Sequence, residues 1–218
     1  MQIARRRICQ WGGLALAGAA LAPSWPAARR GWACWLDGGD DPRGNRRGWG
    51  SLGLVPLRAA DLCKKDEPPW LAIPAEARLD GALATRLALR LKRRGGALLW
   101  EAPALAGGPG MEVWQELADC ATLPLRNLFS VADASPYLRM RHRGRSWWLR
   151  HDSEALGMTP AASGAGEPVL TGDDGIVYGW ARNWGKGRVA CLGTRLGAPA
   201  ARGEAASGEF VRLFLARA

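Results

Sequence analysis

Histidine is scarce in this chain, with two in 218 residues, and tyrosine and phenylalanine are nearly as rare, at two and three. A protein so poor in imidazole has few groups that titrate near neutrality, which narrows the room for general acid–base chemistry. Lysine is also rare, because the 30 basic residues are almost all arginine, and acids number only 20, for a formal charge of +10. No acid precedes Asp37. The five cysteines form no CxxC or CxH pattern, so a zinc site is not expected, and no GxxxxGK[ST] phosphate loop occurs. Nothing here calls for a metal or a cofactor. With 48% apolar residues, the composition excludes a disordered acidic tail, a collagen-like chain and a disulfide mini-protein.

Tryptophan, glycine and arginine are abundant, and their placement matters more than their totals. The amino terminus has a basic start, Arg5-Arg6-Arg7, followed by Gly12 to Ala22, all small or apolar. At ~1.5 Å per residue this run reaches about 17 Å, short of a ~30 Å hydrocarbon core, and no later stretch is long and apolar enough to span one. Residues 1–24 therefore read as an export signal and 25–218 as one mature domain, periplasmic or secreted, with no transmembrane segment. The pattern Ala4-Arg5-Arg6-Arg7-Ile8-Cys9-Gln10 resembles a twin-arginine signal, with Arg5 and Arg6 as the pair. That implies the export machinery as a partner, and the general secretory route is the alternative. In an exported chain the remaining Cys34, Cys63, Cys120 and Cys191 allow three disulfide pairings. Cys34 and Cys191, in apolar strand-like runs, read instead as small buried residues.

The mature chain reads as α/β. Gly31 to Leu36 is a first buried strand emptying into Asp37-Gly38-Gly39-Asp40-Asp41, and Gly44 to Gly53 reads as a mobile glycine-rich segment. Trp70 to Ile73 is a buried strand, Leu79 to Arg94 an amphipathic helix with cations at its carboxyl end, Gly95-Gly96 its stop, and Ala97 to Trp100 the next strand. That strand–helix–strand unit implies a parallel sheet. Met111 to Ala121 reads as a second helix with Cys120 as a buried thiol, and Glu209 to Ala216 as a closing one. Tyr137 to His151 alternates into a β-hairpin, Asp173-Asp174-Gly175 turns a second, and Gly185-Lys186-Gly187 leads into the last strand. The expected fold is three-layered, with a mainly parallel, flavodoxin-like sheet, flanking helices and a hairpin excursion between residues 130 and 185.

Two segments point to a family. Trp70 through Gly95-Gly96 to Trp100 resembles the class I glutamine amidotransferase-like superfamily. Tyr178 to Val189, with its Gly-Lys-Gly-Arg-Val turn, and Leu192-Gly193 resemble its ThuA-like and β-galactosidase-trimerisation-like branches. The resemblance implies the fold. It also implies where catalysis would sit, on a cysteine at the elbow after the strand Ala97 to Trp100 and a histidine after the last strand. This chain has Glu101-Ala102-Pro103 at the first place and Gly193-Thr194-Arg195 at the second, so both are vacant.

Three functions remain in view. One is a non-catalytic binding or assembly module of the cell envelope, related to glycans. Another is a carbohydrate-directed hydrolase using carboxylates at strand ends, where ligands of open α/β sheets bind, with Glu101 and Asp37 as the pair and Asp40 and Asp41 nearby. The last is an anionic-surface binder using the hairpin residues Arg139, Arg141, Arg143, Arg145, Trp147 and Trp148, which combine cations with flat rings. Export favours an acidic glycan or an envelope protein over nucleic acid as its partner. His142 and His151 lie in the same hairpin and read as structural.

Overall fold

The computed structural model describes residues 33–41, 43–63, 68–127, 137–142, 144–150, 154–161 and 165–215. In chain order the elements are β1 Ala33–Asp37, α1 Asn45–Ser51, β2 Val55–Arg58, β3 Trp70–Ile73, α2 Gly81–Arg94, β4 Gly96–Glu101, α3 Met111–Ala118 and β5 Cys120–Asn127. They continue with β6 Tyr137–His142, β7 Arg145–Arg150, β8 Glu154–Pro160, β9 Gly166–Thr171, β10 Val177–Trp184, β11 Gly187–Leu192, α4 Gly197–Ala201 and α5 Ala205–Leu215. The segment read as an export signal, Arg5 and Arg6 included, lies outside the described residues.

All eleven strands join one sheet. Its first five, in the order β2-β1-β3-β4-β11, are parallel, and β10, β9, β6 and β7 extend it antiparallel. The arginine-rich hairpin is thus the far end of the same sheet. On that side β8 pairs with β10 at Met158 and carries β5 on its other edge.

Alternation along the central strands divides the core in two. On β4, Ala97 and Leu99 face a cluster with Trp49, Phe210 and Phe214, from α1 and α5. Leu98 and Trp100 face the opposite cluster with Leu87, Leu91, Trp114 and Leu117, from α2 and α3. The architecture is therefore three-layered α/β, with strands buried on both faces, as parallel sheets require.

Local chemistry sets the boundaries. Asp80 caps α2 by accepting the Leu83 N–H at 2.7 Å, while Lys92, Arg93 and Arg94 occupy its last turn. Gly95 and Gly96 follow with φ of 85° and 100°, and a Cβ on Gly96 would lie 2.0 Å from the Pro69 carbonyl oxygen. Only glycine fits that stop. The second helix ends earlier than its pattern suggests, because Asp119 turns left-handed at φ 52° and Cys120 opens β5. Cys120 is therefore a half-buried strand residue. The closing helix begins earlier, at Ala205.

The segment read as mobile is a helix in the core. α1 carries the sequence Asn-Arg-Arg-Gly-Trp-Gly-Ser, with Asn45, Gly48 and Trp49 buried. Its glycines lower helix propensity, but Gly48 lets α1 meet α4 backbone to backbone: a Cβ there would sit 1.7 Å from the Gly197 carbonyl oxygen. Gly197 reciprocates, since a Cβ on it would lie 2.2 Å from the Asn45 oxygen.

This contact yields a paired prediction. Gly48→Ala should lower the unfolding free energy by about 3 kcal/mol, because two backbones must separate. Gly50→Ala in the same helix, with nothing within 4 Å of its Cβ position, should leave stability unchanged or raise it by about 0.5–1 kcal/mol. Urea denaturation of the two variants checks both.

Candidate functional site

In open α/β sheets ligands bind beyond the carboxyl ends of the strands, where the strand order reverses. Here that point falls between β1 and β3, since the chain steps from β1 outward to β2 and then back to β3. Four segments converge there: Asn45 from α1, Glu76 just past β3, Glu101 at the end of β4, and Thr194 to Ala198 between β11 and α4. The side chains of Asn45, Glu76, Glu101, Thr194 and Arg195 are all buried.

Glu101 is the hub, with 0% exposure. Its Oε1 accepts the Trp49 indole N–H at 3.1 Å, the Leu196 N–H at 2.6 Å and the Gly197 N–H at 3.3 Å. Its Oε2 accepts Asn45 Nδ2 at 2.6 Å and the Ala75 N–H at 2.9 Å. Asn45 Nδ2 also donates to Glu76 at 2.7 Å, while its Oδ1 accepts the Ala198 N–H at 2.8 Å. Glu76 in turn accepts Arg195 Nε at 2.7 Å, and Arg195 also donates to the Leu105 carbonyl. Glu154 of β8 lies 3.6 Å from Arg195 and pairs with Arg43 at 3.0 Å. The opening first turn of α4 thus finds its acceptors in Glu101 and Asn45.

Backbone closes the same crevice. Gly39, after β1 and at φ 76°, presses on the loop beyond β3 so closely that a Cβ would lie 2.2 Å from the Glu76 carbonyl oxygen. Burial, and then the neighbouring Glu76 charge, push the Glu101 carboxyl up to about 7, against the pull of the Leu196, Ala75 and Asn45 donors. What the arrangement can do chemically is limited by access. The carboxylate is held by five donors, and no solvent-exposed side reaches it.

The paired-carboxylate expectation meets a different geometry. Asp37 is half-buried and held by the Arg46 guanidinium, with Nε at 3.0 Å. Asp41 accepts the backbone N–H groups of Arg46 and Arg47 at 3.0 and 3.1 Å, at the start of α1. Asp40 is exposed. Among the described residues Asp37 and Glu101 share no hydrogen-bond partner: Asp37 and Asp41 hold Arg46 and the start of α1, while Glu101 is enclosed by its own donors.

The hairpin residues divide by strand alternation. Arg139, Arg141 and Trp148 point outward and are exposed. Arg145 and Trp147 lie on the other side and both donate to Glu209 of α5, at 3.0 and 2.7 Å. Arg143 and His151 lie outside the described residues. His142 is buried against Phe210 and Phe214, with ring centroids 5.9 and 5.8 Å apart.

Cys34, Cys120 and Cys191 are free thiols, the first and last buried. Burial, followed by Asp119, pushes Cys120 up to about 11, and burial raises Cys191 well above the usual thiol value. None is a ready nucleophile. Among the described residues no three His, Cys, Asp or Glu gather into a metal site, and no helix is long and apolar enough to cross a membrane.

Glu76 and Arg195 stand at carboxyl ends of strands, so the rule that singled out Glu101 also reaches them. Asn45 carries no such signal, because it is delivered by a helix whose composition argues against one.

No family model matches the chain, and no curated protein matches it. Among solved structures, an exo-β-1,4-mannosidase from Opitutaceae bacterium strain TAV5 superposes with a TM-score of 0.54 at 16% identity, over 74% of this chain and 28% of that one. A β-galactosidase from the Antarctic haloarchaeon Halorubrum lacusprofundi gives 0.53 at 15%, over 79% and 25%. One from Bacillus circulans sp. alkalophilus gives 0.50 at 10%, over 74% and 25%. At these identities the likeness is one of fold. The chain spans about a quarter of the length of the enzymes it matches.

Two outcomes follow from the Glu101 hub. Glu101→Gln replaces one acceptor oxygen with an NH2 that must face donors on whichever side it turns, so stability at pH 8 should fall by about 3 kcal/mol in urea denaturation. A carboxyl near 7 when folded and near 4.5 when unfolded takes up a proton on folding between those values. Its contribution is complete below about 4.5 and is lost as pH rises through about 7, so unfolding free energies across that window should decline by about 3 kcal/mol, and Glu101→Gln should lack that decline.

Proposed function

We propose that this chain is a non-catalytic, carbohydrate-related binding or assembly module of the amidotransferase-like fold, acting in the periplasm or outside the cell. The observation that carries the reading is the occupied switch-point crevice. The place where the fold would expose a nucleophile is filled by Glu101 and its five donors, and Arg195 is tied to Glu76 where the resemblance would put a base. A site built this way stabilises the fold, since Glu101, Asn45, Glu76 and Arg195 are each spent on another part of the chain.

The carbohydrate relation is supported by the solved structures of similar fold, whose descriptions are a mannosidase and β-galactosidases and in which the matched part is about a quarter of the chain. A unit of that share within a glycosidase suits binding or assembly more than the reaction itself. Export rests on the Arg5-Arg6 segment and its apolar run. The hydrolase alternative needs a substrate to reach Glu101, and burial opposes this.

The full chain should release no nitrophenol from nitrophenyl β-galactoside or β-mannoside and no ammonia from glutamine above the buffer rate. Glycoside turnover that Glu101→Gln abolishes while the fold survives, judged by circular dichroism, would overturn the proposal in favour of the carboxylate hydrolase.

A further inference from the structure

The two faces of the β6–β7 hairpin differ in exposure and in the pairing of their arginines. The inward face is committed: Leu138, Met140 and Leu149 are buried, and Arg145 and Trp147 share Glu209. The outward face carries Tyr137, Arg139, Arg141, Ser146, Trp148 and Arg150, all exposed. Tyr137 pairs across the ladder with Arg150, and Arg139 with Trp148. Rings and guanidiniums therefore alternate in a two-by-two checkerboard, with cross-strand neighbours about 5 Å apart.

This face is exposed to an unusual degree. Trp148 is 56% and Tyr137 44% accessible, and both border a groove of about 500 Å³ that Arg150, Arg202 and Glu204 complete. Among the described residues of β6 and β7 no acid shares the outward face, and the guanidiniums of Arg139, Arg141 and Arg150 have no carboxylate partner. Glu204, in the groove itself, accepts the Arg150 backbone N–H at 3.0 Å and pairs with Arg202 at 3.4 Å. β6 is paired on both edges, by β7 and β9, and α5 packs beneath the hairpin, so its backbone is already in place. A ligand would not have to order it.

We propose that this outward face binds an acidic polysaccharide. Sugar rings lie with their C–H faces on Trp148 and Tyr137, and carboxylates or sulfates meet Arg139, Arg141 and Arg150. The inference deepens the carbohydrate-related reading and rests on it. A polynucleotide fits less well. With Arg5, Arg6, Arg7 and the five hairpin arginines set aside, the rest of the chain is close to neutral, which gives a phosphate backbone little general attraction beyond the platform.

The test titrates the full chain with polygalacturonate, neutral galactan and poly(dT), following tryptophan fluorescence and affinity electrophoresis at ~50 and ~200 mM salt. Polygalacturonate should bind at least about tenfold more tightly than galactan and weaken severalfold at the higher salt. Trp148→Ala and the double variant Arg139→Glu/Arg141→Glu should each weaken it about tenfold or more, with melting temperatures unchanged because these side chains are exposed. Tighter binding of poly(dT), or equal binding of galactan without salt dependence, would overturn the proposal. Polygalacturonate bound equally by both variants would remove this face while leaving the carbohydrate reading intact. Binding of neither glycan would sink both.

Discussion

A carboxylate buried without solvent must find its donors in the chain, and most of this fold can be traced from that requirement at Glu101. The isolated cost of burying such a charge is several kcal/mol, so the group is tolerable only where several N–H dipoles point at it. Those dipoles come from Trp49, Asn45, Ala75, Leu196 and Gly197, in segments up to 96 residues away in sequence. Satisfying one side chain therefore fixes α1, the turn after β3 and the start of α4 against the end of β4. Hydrophobic burial supplies the driving force on both faces of the sheet, but it is indifferent to small rotations of a helix. The hydrogen bonds to Glu101 and Asn45 are not, and they select one arrangement of those helices from the many that would bury Trp49.

That selection depends on glycine. Asn45 reaches both Glu76 and Glu101 only because α1 lies against α4 at backbone distance, and Gly48 and Gly197 are what permit it. Glycine in a helix costs about 0.5–1 kcal/mol relative to alanine. The cost is offset where close approach lets two buried carboxylates share one amide, since leaving either short of a donor would cost more. Gly39 works in the same way from the β1 side.

The same circumstance explains what the sequence could and could not disclose. The layers, the parallel unit from Trp70 to Trp100, the Gly95-Gly96 stop and the two hairpins are local patterns, and local patterns are legible in one chain. Glu101 is legible as a strand-end carboxylate, but its burial is not, because its donors belong to distant segments. α1 is the sharpest case: seven residues with two glycines and two arginines carry the signature of a loop, and only tertiary contact makes them a helix. β5 and β8 escaped for a related reason. Ala155, Leu156, Gly157 and Met158 are all buried, so β8 shows no alternation, and its neighbour β5 is recognisable only through it. In the arginine hairpin, alternation was visible, yet which face would be free depended on α5, whose Glu209 takes Arg145 and Trp147 out of the exposed set.

A sheet that changes from parallel to antiparallel changes where it can offer a surface. At the parallel end both faces are covered by helices, so only the crevice beyond the strand ends is open to a ligand, and here side chains from α1 and the β11–α4 turn fill it. At the antiparallel end one face can remain bare, because hairpins need no helical crossover to return the chain. The exposed rings and guanidiniums of β6 and β7 stand on that bare face, at the far end of the sheet from β2. The face proposed to bind a ligand is thus separated from the Glu101 network by the width of several strands. Side chains on the hairpin can change without disturbing the hydrogen bonds that position the helices, and the network can hold the fold rigid without having to admit a ligand.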